Sequence, residues 1–352
     1  MSSSSSIPRA LIAGAALALL AAAHAAAQDS MPTEPGKPTR LFSSDSVFSI
    51  TITGDIKKYM GTRDSTAPPL PGKLIVGNDT LIIGLKPRGH FRRKSSICSF
   101  PPVEVRFAKD VKGTVFSKQK KLKLVTTCWP GQADYEGYIP QEYLLYRVYN
   151  LITPVSFRAR YVHVTYTDTA HPDRAPIVTN AFFVEDQGDV ASRNMGKLVK
   201  AQNAGREDFD ADALANLSIF EFMIGNTDLS FAAEHNIRFV QTGQFPPTVS
   251  PVPYDFDWSG VVGARYAHPD PSLPIHSVKD RLWMGFCYTQ DQLTAAAARF
   301  NAQHDAVTAL YTNNPLLEPK AADATLAYFA EFWTLLNDPK KFSKAIHQHC
   351  TG

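Results

Sequence analysis

Residues 225–240 read GNTDLSFAAEHNIRFV, and beyond a Pro-bearing turn residues 251–260 read PVPYDFDWSG. Asp228, Asn236, Asp255 and Asp257 stand there among Ile224, Ile237, Phe239, Val240, Val252, Tyr254 and Phe256. An ionised carboxylate next to apolar, strand-like runs is costly unless a cation or a hydrogen-bond network compensates it. Mg²⁺ suits such a place, because it takes a few protein oxygens and completes its shell with water and phosphate. One reading is therefore a metal–phosphate site. The other has Asp228 and Asn236 capping turns while Asp255 and Asp257 bond to nearby backbone. A D-x-D motif is too common to decide between them.

Working outward, Asp208–Ile224 has helical spacing, with Asp210 as its cap and Leu214, Leu217, Ile219, Phe220 and Met223 facing inward. Strands are predicted at Asn236–Gln241 and Val252–Phe256. After Gly260 a Pro- and His-bearing loop runs to Ser277. Helices follow at Gln290–Gln303, with Thr289 and Gln292 as a capping box, at Ala321–Leu336 and at Phe342–His349. Toward the N-terminus, Phe48, Ile50 and Ile52 alternate with polar residues as in a half-buried strand. Lys73–Leu85 reads as two strands around Gly77-Asn78-Asp79, and two more strands are expected over 102–108 and 121–127. Tyr138–Ile152 reads as a helix, followed by strands at Phe157–Thr167 and Ile177–Glu185. This order predicts an α+β architecture. A β-rich N-terminal lobe with one helix would cover 46–185, and a mainly helical C-terminal lobe carrying the acidic segment would cover 186–352, with a cleft between them.

The chain has 352 residues, 44% hydrophobic and 20% charged, with a net charge of +3. That composition is ordinary for a globular protein and does not point to a nucleic acid or an anionic membrane as partner. Residues 1–27 read as a secretory signal: Arg9, the apolar run Ala10–Ala23, then Ala25-Ala26-Ala27 as an A-x-A cleavage site. The run is shorter than the ~20 residues a membrane span needs. Residues 28–45 read as a linker, and the protein is expected outside the cytoplasm, in the periplasm or beyond. Export permits disulfides. A hairpin centred on Gly113 would set Cys98 opposite Cys128; Cys287 with Cys350 follows by elimination, and free buried thiols are the alternative. No spacing suggests zinc. The run KPRGHFRRK places Lys86, Arg88, Arg92, Arg93 and Lys94 close together around Gly89. It reads either as a solvated loop or as a phosphate contact.

RGHFRRKSSICSFPPVEVRF, KKLKLVTTC, EYLLYRVYNLITPVSFRARYVHVTYTD, FFVED, MIGNTD…HNIRF and PVPYDFDWSG together resemble a group of exported bacterial proteins of unsettled function. More distantly, their order resembles the spore-coat CotH family of secretory kinases. That resemblance implies an atypical protein-kinase-like, two-lobed fold that binds ATP with Mg²⁺ or Mn²⁺ and phosphorylates protein Ser or Thr. It implies Asp228 as the catalytic Asp of GN-x-D, Asn236 as the metal-binding Asn after it, and Asp255 as the Asp holding metal against phosphate, with Asp257 beside it. Arg88 and Gly89 fall on the family's R-G-N loop, with His90 in place of Asn. Arg106 falls where an ATP-pairing Lys is carried, with Glu142 as its possible partner. Glu185 falls near the expected adenine position.

Three functions follow as expectations: an exported metal-dependent phosphotransferase, a non-catalytic envelope binding or scaffold protein, and a metal-dependent hydrolase on the same acidic cluster. A serine hydrolase has no support, since G-x-S-x-G is absent and Ser259 lacks an evident base.

Overall fold

The computed structural model describes residues 36–108, 111–201, 205–242 and 247–351. The segment 1–27 read as a signal, and the linker up to residue 35, lie outside the described residues.

Seven strands come first: β1 (Phe48–Gly54), β2 (Leu70–Val76), β3 (Asp79–Pro87), β4 (Val103–Phe107), β5 (Lys121–Thr126), β6 (Ala159–Asp168) and β7 (Ile177–Val184). They pair in the order β1-β2-β3-β4-β5-β7-β6 and close into a barrel. β1 closes it, running antiparallel to β2 on one edge and parallel to β6 on the other, from Phe48 opposite Val162 to Gly54 opposite Asp168. This corrects the expected two-lobed, kinase-like fold, since the β-rich part is a closed mixed barrel. The alternation of Phe48, Ile50 and Ile52 reports which side chains turn inward. It carries no information on which strands satisfy the backbone groups along the two edges, and closure depends on those edges.

Ile50, Ile52, Leu74, Ile83, Val105, Leu124 and Val164 fill the barrel. In β7, Ala181 and Phe183 point into this core, while Phe182 and Val184 join a second core outside it. Both faces of β7 are thus buried over Ala181–Val184, so that half of the strand reads as a continuous apolar run rather than an alternating one. Burying one such aromatic ring contributes roughly 1.5–3 kcal/mol.

The second core is built on helix α2 (Ala133–Ile152), whose Tyr143 and Tyr146 pack against Phe182 with ring centroids 6.0 and 5.6 Å away. α2 starts at Ala133, before the expected Tyr138, and takes in Pro140, although proline usually marks a helix boundary. A short helix α1 (Ile56–Gly61) precedes it, and α3 (Gln187–Arg193) follows the barrel. Then come β8 (Lys197–Val199), α4 (Ala211–Ile224), β9 (Ile237–Gln241) and β10 (Val249–Pro253), with the strands ordered β10-β9-β8 in a separate sheet. The remaining helices are α5 (Gln290–Asn301), α6 (His304–Tyr311), α7 (Pro319–Leu336) and α8 (Pro339–His347). The Thr289–Gln292 capping box forms as expected. No described helix is long and apolar enough to cross a membrane.

Both expected disulfides form, Cys98–Cys128 and Cys287–Cys350, consistent with an exported protein. The first pins the end of the basic loop to the residues after β5. Each bridge closes a loop long enough for its loss to cost about 3–4 kcal/mol by the chain-entropy estimate. The double variant Cys98→Ala/Cys128→Ala is therefore expected to unfold at clearly lower urea concentration. An unchanged midpoint would contradict this.

Candidate functional site

α4 delivers the first site loop. Asp210 caps its start, accepting the Ala213 N–H at 2.8 Å. Gly225 ends it at φ +66°, where a Cβ would also collide with the Tyr328 hydroxyl, so only glycine fits. The chain then reaches Asp228 and returns through His235 and Asn236 into β9. Asp228 is held on both oxygens: His235 Nε2 lies 3.1 Å from Oδ1, and Asn236 Nδ2 donates to Oδ2 at 2.9 Å and to the Asp228 carbonyl at 2.8 Å.

β10 delivers the second loop. Phe256 is buried between Tyr146 of α2 (4.8 Å) and Phe220 of α4 (5.3 Å). The Asp255 N–H donates to the Tyr146 hydroxyl at 2.9 Å. Asn236 and Asp255 both adopt left-handed backbone, φ +54° and +68°, a conformation that Asn and Asp tolerate better than most residues. Among the described residues, no group hydrogen-bonds the Asp255 carboxylate. The local backbone bonding that was the alternative reading is therefore not found for Asp255.

Arg88, Gly89, His90, Phe91 and Arg92 from the loop after β3 meet these two loops around a cavity of about 280 Å³, which Asp228, Asn236, Asp255 and Asp257 also line. The structure thus brings together five of the seven singled-out residues: Arg88, Asp228, Asn236, Asp255 and Asp257. Arg106 stays apart. It sits on β4, pairing with Glu104 at 2.5 Å, and does not reach the cavity. Glu185 is buried and occupied. Its oxygens take Arg193 Nε at 3.0 Å, Arg193 Nη2 at 3.1 Å and the Arg158 N–H at 3.0 Å.

Arg92 and Lys123 were not singled out from sequence for this site, and Glu142 was expected only as a partner for Arg106, which pairs with Glu104 instead. Arg92 was read only as part of a basic run. Its guanidinium contacts Asp257 at 3.4 Å, donates to the Thr126 carbonyl at 2.6 Å and lies over the Tyr266 ring. Glu142 of α2 is buried, with Oε1 lacking a hydrogen-bond partner. A carboxylate on the apolar face of a helix was the available signal. Lys123 of β5 lies 4.0 Å from the Tyr254 ring centroid, and nothing in KLKLV distinguishes it from a solvated alternate residue.

Electrostatics give the cavity its character. Burial, then the Asp255 charge, push the Asp257 carboxyl up to about 6, against the pull of Arg92. Burial, then Asp257 and Asp255, hold Glu142 well above the usual carboxylate range. Asp228 is also raised, chiefly by burial. Burial and Arg88 bring the Lys123 ammonium down to about 7. Burial opposes the charge of Arg92, but Tyr266, Asp257, Glu142 and Asp255 more than restore it. Four carboxyls here face Arg88, Arg92 and Lys123, an excess of one negative charge with all of them ionised, and burial holds Glu142 toward its neutral form.

The oxygen donors are of the kind that Mg²⁺ or Mn²⁺ takes. Asp255 is uncommitted, Asn236 has an amide oxygen to offer, and Asp257 Oδ2 is already engaged by Arg92 and by Tyr266 at 2.9 Å. Among the described residues, the group of three carboxylate or His ligand atoms within 4.8 Å of one another is Asp55, Asp168 and His171, outside this cavity. There Asp168 is consumed by the N–H groups of Lys57, Ala170 and His171. The carboxylate oxygens of Asp228, Asp255 and Asp257 do not gather into such a group, so Asp255 and the Asn236 amide would give a cation a partial shell, left for water and phosphate to complete, unlike the closed cage of a structural zinc site. The Arg88 Nε, buried without a hydrogen-bond partner, leaves a cationic donor for an anion.

Behind Asp228, Glu221 of α4 is buried with neither oxygen in a normal hydrogen bond, although Asn226 lies beside it. Burial pushes its carboxyl up to about 8. The folded protein then binds a proton that the unfolded chain has lost, so stability falls as pH rises between about 4.3 and 8, by up to ~1.4 kcal/mol per unit. Glu221→Gln should flatten this part of the stability–pH curve and raise stability at pH 8. An unchanged curve in denaturant titrations would count against the assignment.

No protein-family model matches the chain, and a search of curated proteins finds no match.

Proposed function

We infer that the protein is an exported, divalent-metal-dependent phosphotransferase that moves a phosphoryl group from a nucleoside triphosphate such as ATP to an alcohol. The single observation supporting this most is that Arg88, Asp228, Asn236 and Asp255, from three separate segments, meet at one cavity. Phosphoryl transfer asks for positioning and charge compensation more than covalent help. A bound Mg²⁺ or Mn²⁺ would supply the charge that offsets the phosphate oxygens. Asp255 and the Asn236 amide oxygen would hold it. Arg88 would bind a phosphate oxygen through its unpaired Nε. Asp228, steadied by His235 and Asn236, would orient the acceptor hydroxyl and take its proton as the new O–P bond forms and the nucleoside diphosphate leaves.

One observation favours a second reading. Arg106 and Glu185, which the CotH resemblance places at ATP, are engaged in ion pairs of their own. A non-catalytic envelope binding or scaffold protein would show this too. Melting of the oxidised protein with ATP and Mn²⁺ separates the two. A phosphotransferase should be stabilised by the pair together more than by either alone. No shift at any metal concentration would leave the scaffold reading.

A further inference from the structure

Asp228, His235 and Trp258 line a second cavity as well, of about 410 Å³, on the side away from Arg88. Thr227, Ser230, His268 and Asp270 contribute to its wall. None of its described lining residues is Lys or Arg. Asp228 thus stands between a chamber with cationic side chains and one without.

We propose that this second cavity is the acceptor site and that it takes a neutral, hydroxyl-rich ring of the saccharide class. The inference rests on the phosphotransferase reading for the word acceptor, but not for binding itself. The wall combines carboxylates and hydroxyls, which exchange hydrogen bonds with sugar hydroxyls, with the apolar and aromatic surface of Trp258, Leu229 and Val278. Trp258 is braced by Phe91, ring centroids 5.2 Å apart, and by His268 at 5.4 Å. Pro269 and Pro271 flank Asp270, whose Oδ1 is held by the Ser272 N–H at 2.8 Å and hydroxyl at 2.7 Å. A phosphorylated or acidic acceptor meets two carboxylates and no ammonium or guanidinium. A volume of this size also suits a compact ring better than an extended chain. A sugar hydroxyl resting here would reach Asp228, lose its proton to that carboxylate, and form the O–P bond as the donor's P–O bond breaks.

The test is saturation-transfer NMR and calorimetry on the oxidised protein with glucose, N-acetylglucosamine, a Lys/Arg-rich Ser peptide and an acidic Ser peptide. Mn²⁺–ATP binding is measured in parallel. At least one neutral sugar should bind, and His268→Ala and Asp270→Asn should each weaken it about tenfold or more. Binding of the basic peptide without the sugars, or sugar binding indifferent to both substitutions, overturns the proposal. So does the absence of sugar binding while Mn²⁺–ATP still binds, and that result leaves the phosphotransferase reading standing. Sugar binding without Mn²⁺–ATP binding sinks that reading and keeps the saccharide site.

Discussion

Asp255→Ala is expected to lower the affinity for Mn²⁺–ATP by at least about 10–100-fold, the range for losing a group that only supports a metal ligand. Among the described residues the Asp255 carboxylate makes no hydrogen bond, and only the longer-range charges of Arg92 and Lys123 offset it. It also raises both Asp257 and Glu142. Removing it relieves repulsion inside the protein while removing the oxygen that a cation would use. Binding and stability should therefore move in opposite directions. The left-handed backbone at Asp255 adds strain when Ala replaces it. Asp255→Asn avoids that, because Asn tolerates the same conformation. The Asn variant should lose most of the binding yet melt no lower than wild type. Loss of binding together with a large fall in melting temperature would mean that Asp255 is structural.

Arg193→Ala is expected to destabilise the fold by about 3–5 kcal/mol, the range for breaking a buried ion pair from one side. Arg193 and Glu185 are both buried, with side-chain exposures of 4% and 0%. Arg193 also donates to the Pro154 carbonyl at 2.7 Å and to the Ser156 carbonyl, tying α3 to the chain between α2 and β6. Burial already raises the Glu185 carboxyl despite Arg193. Without the guanidinium it rises further, and taking up a proton relieves part of the loss. The destabilisation should accordingly be larger at pH 8 than at pH 5. A loss under 1 kcal/mol by urea unfolding at pH 8 would contradict the assignment of this pair as a buried anchor.

Much of the site was legible because its chemistry is local. GNTD, HN and DFD each set an oxygen-bearing side chain beside apolar residues. Gly225 marked the end of a helix, and Gly89 freed the loop that carries Arg88. The two disulfides were also readable, one from the symmetry of the segment around Gly113. What could not be read were the partnerships across the chain. Arg92 meets Asp257 across 165 residues of sequence. Arg106 and Lys123 both lie on strands among apolar neighbours, and register decides that Lys123 approaches Tyr254 while Arg106 pairs with Glu104. The same limit hid the fold. β1 reads in sequence only as a half-buried strand, and its parallel pairing with β6 closes the barrel.

The most direct measurement is anomalous diffraction from crystals soaked with Mn²⁺ and a non-hydrolysable ATP analogue. The expected result is a manganese peak bonded to a carboxylate oxygen of Asp255 and the amide oxygen of Asn236, with a phosphate against Arg88. A peak at Asp55, Asp168 and His171 instead, or none in the cavity at saturating metal and nucleotide, would contradict a metal–phosphate site there.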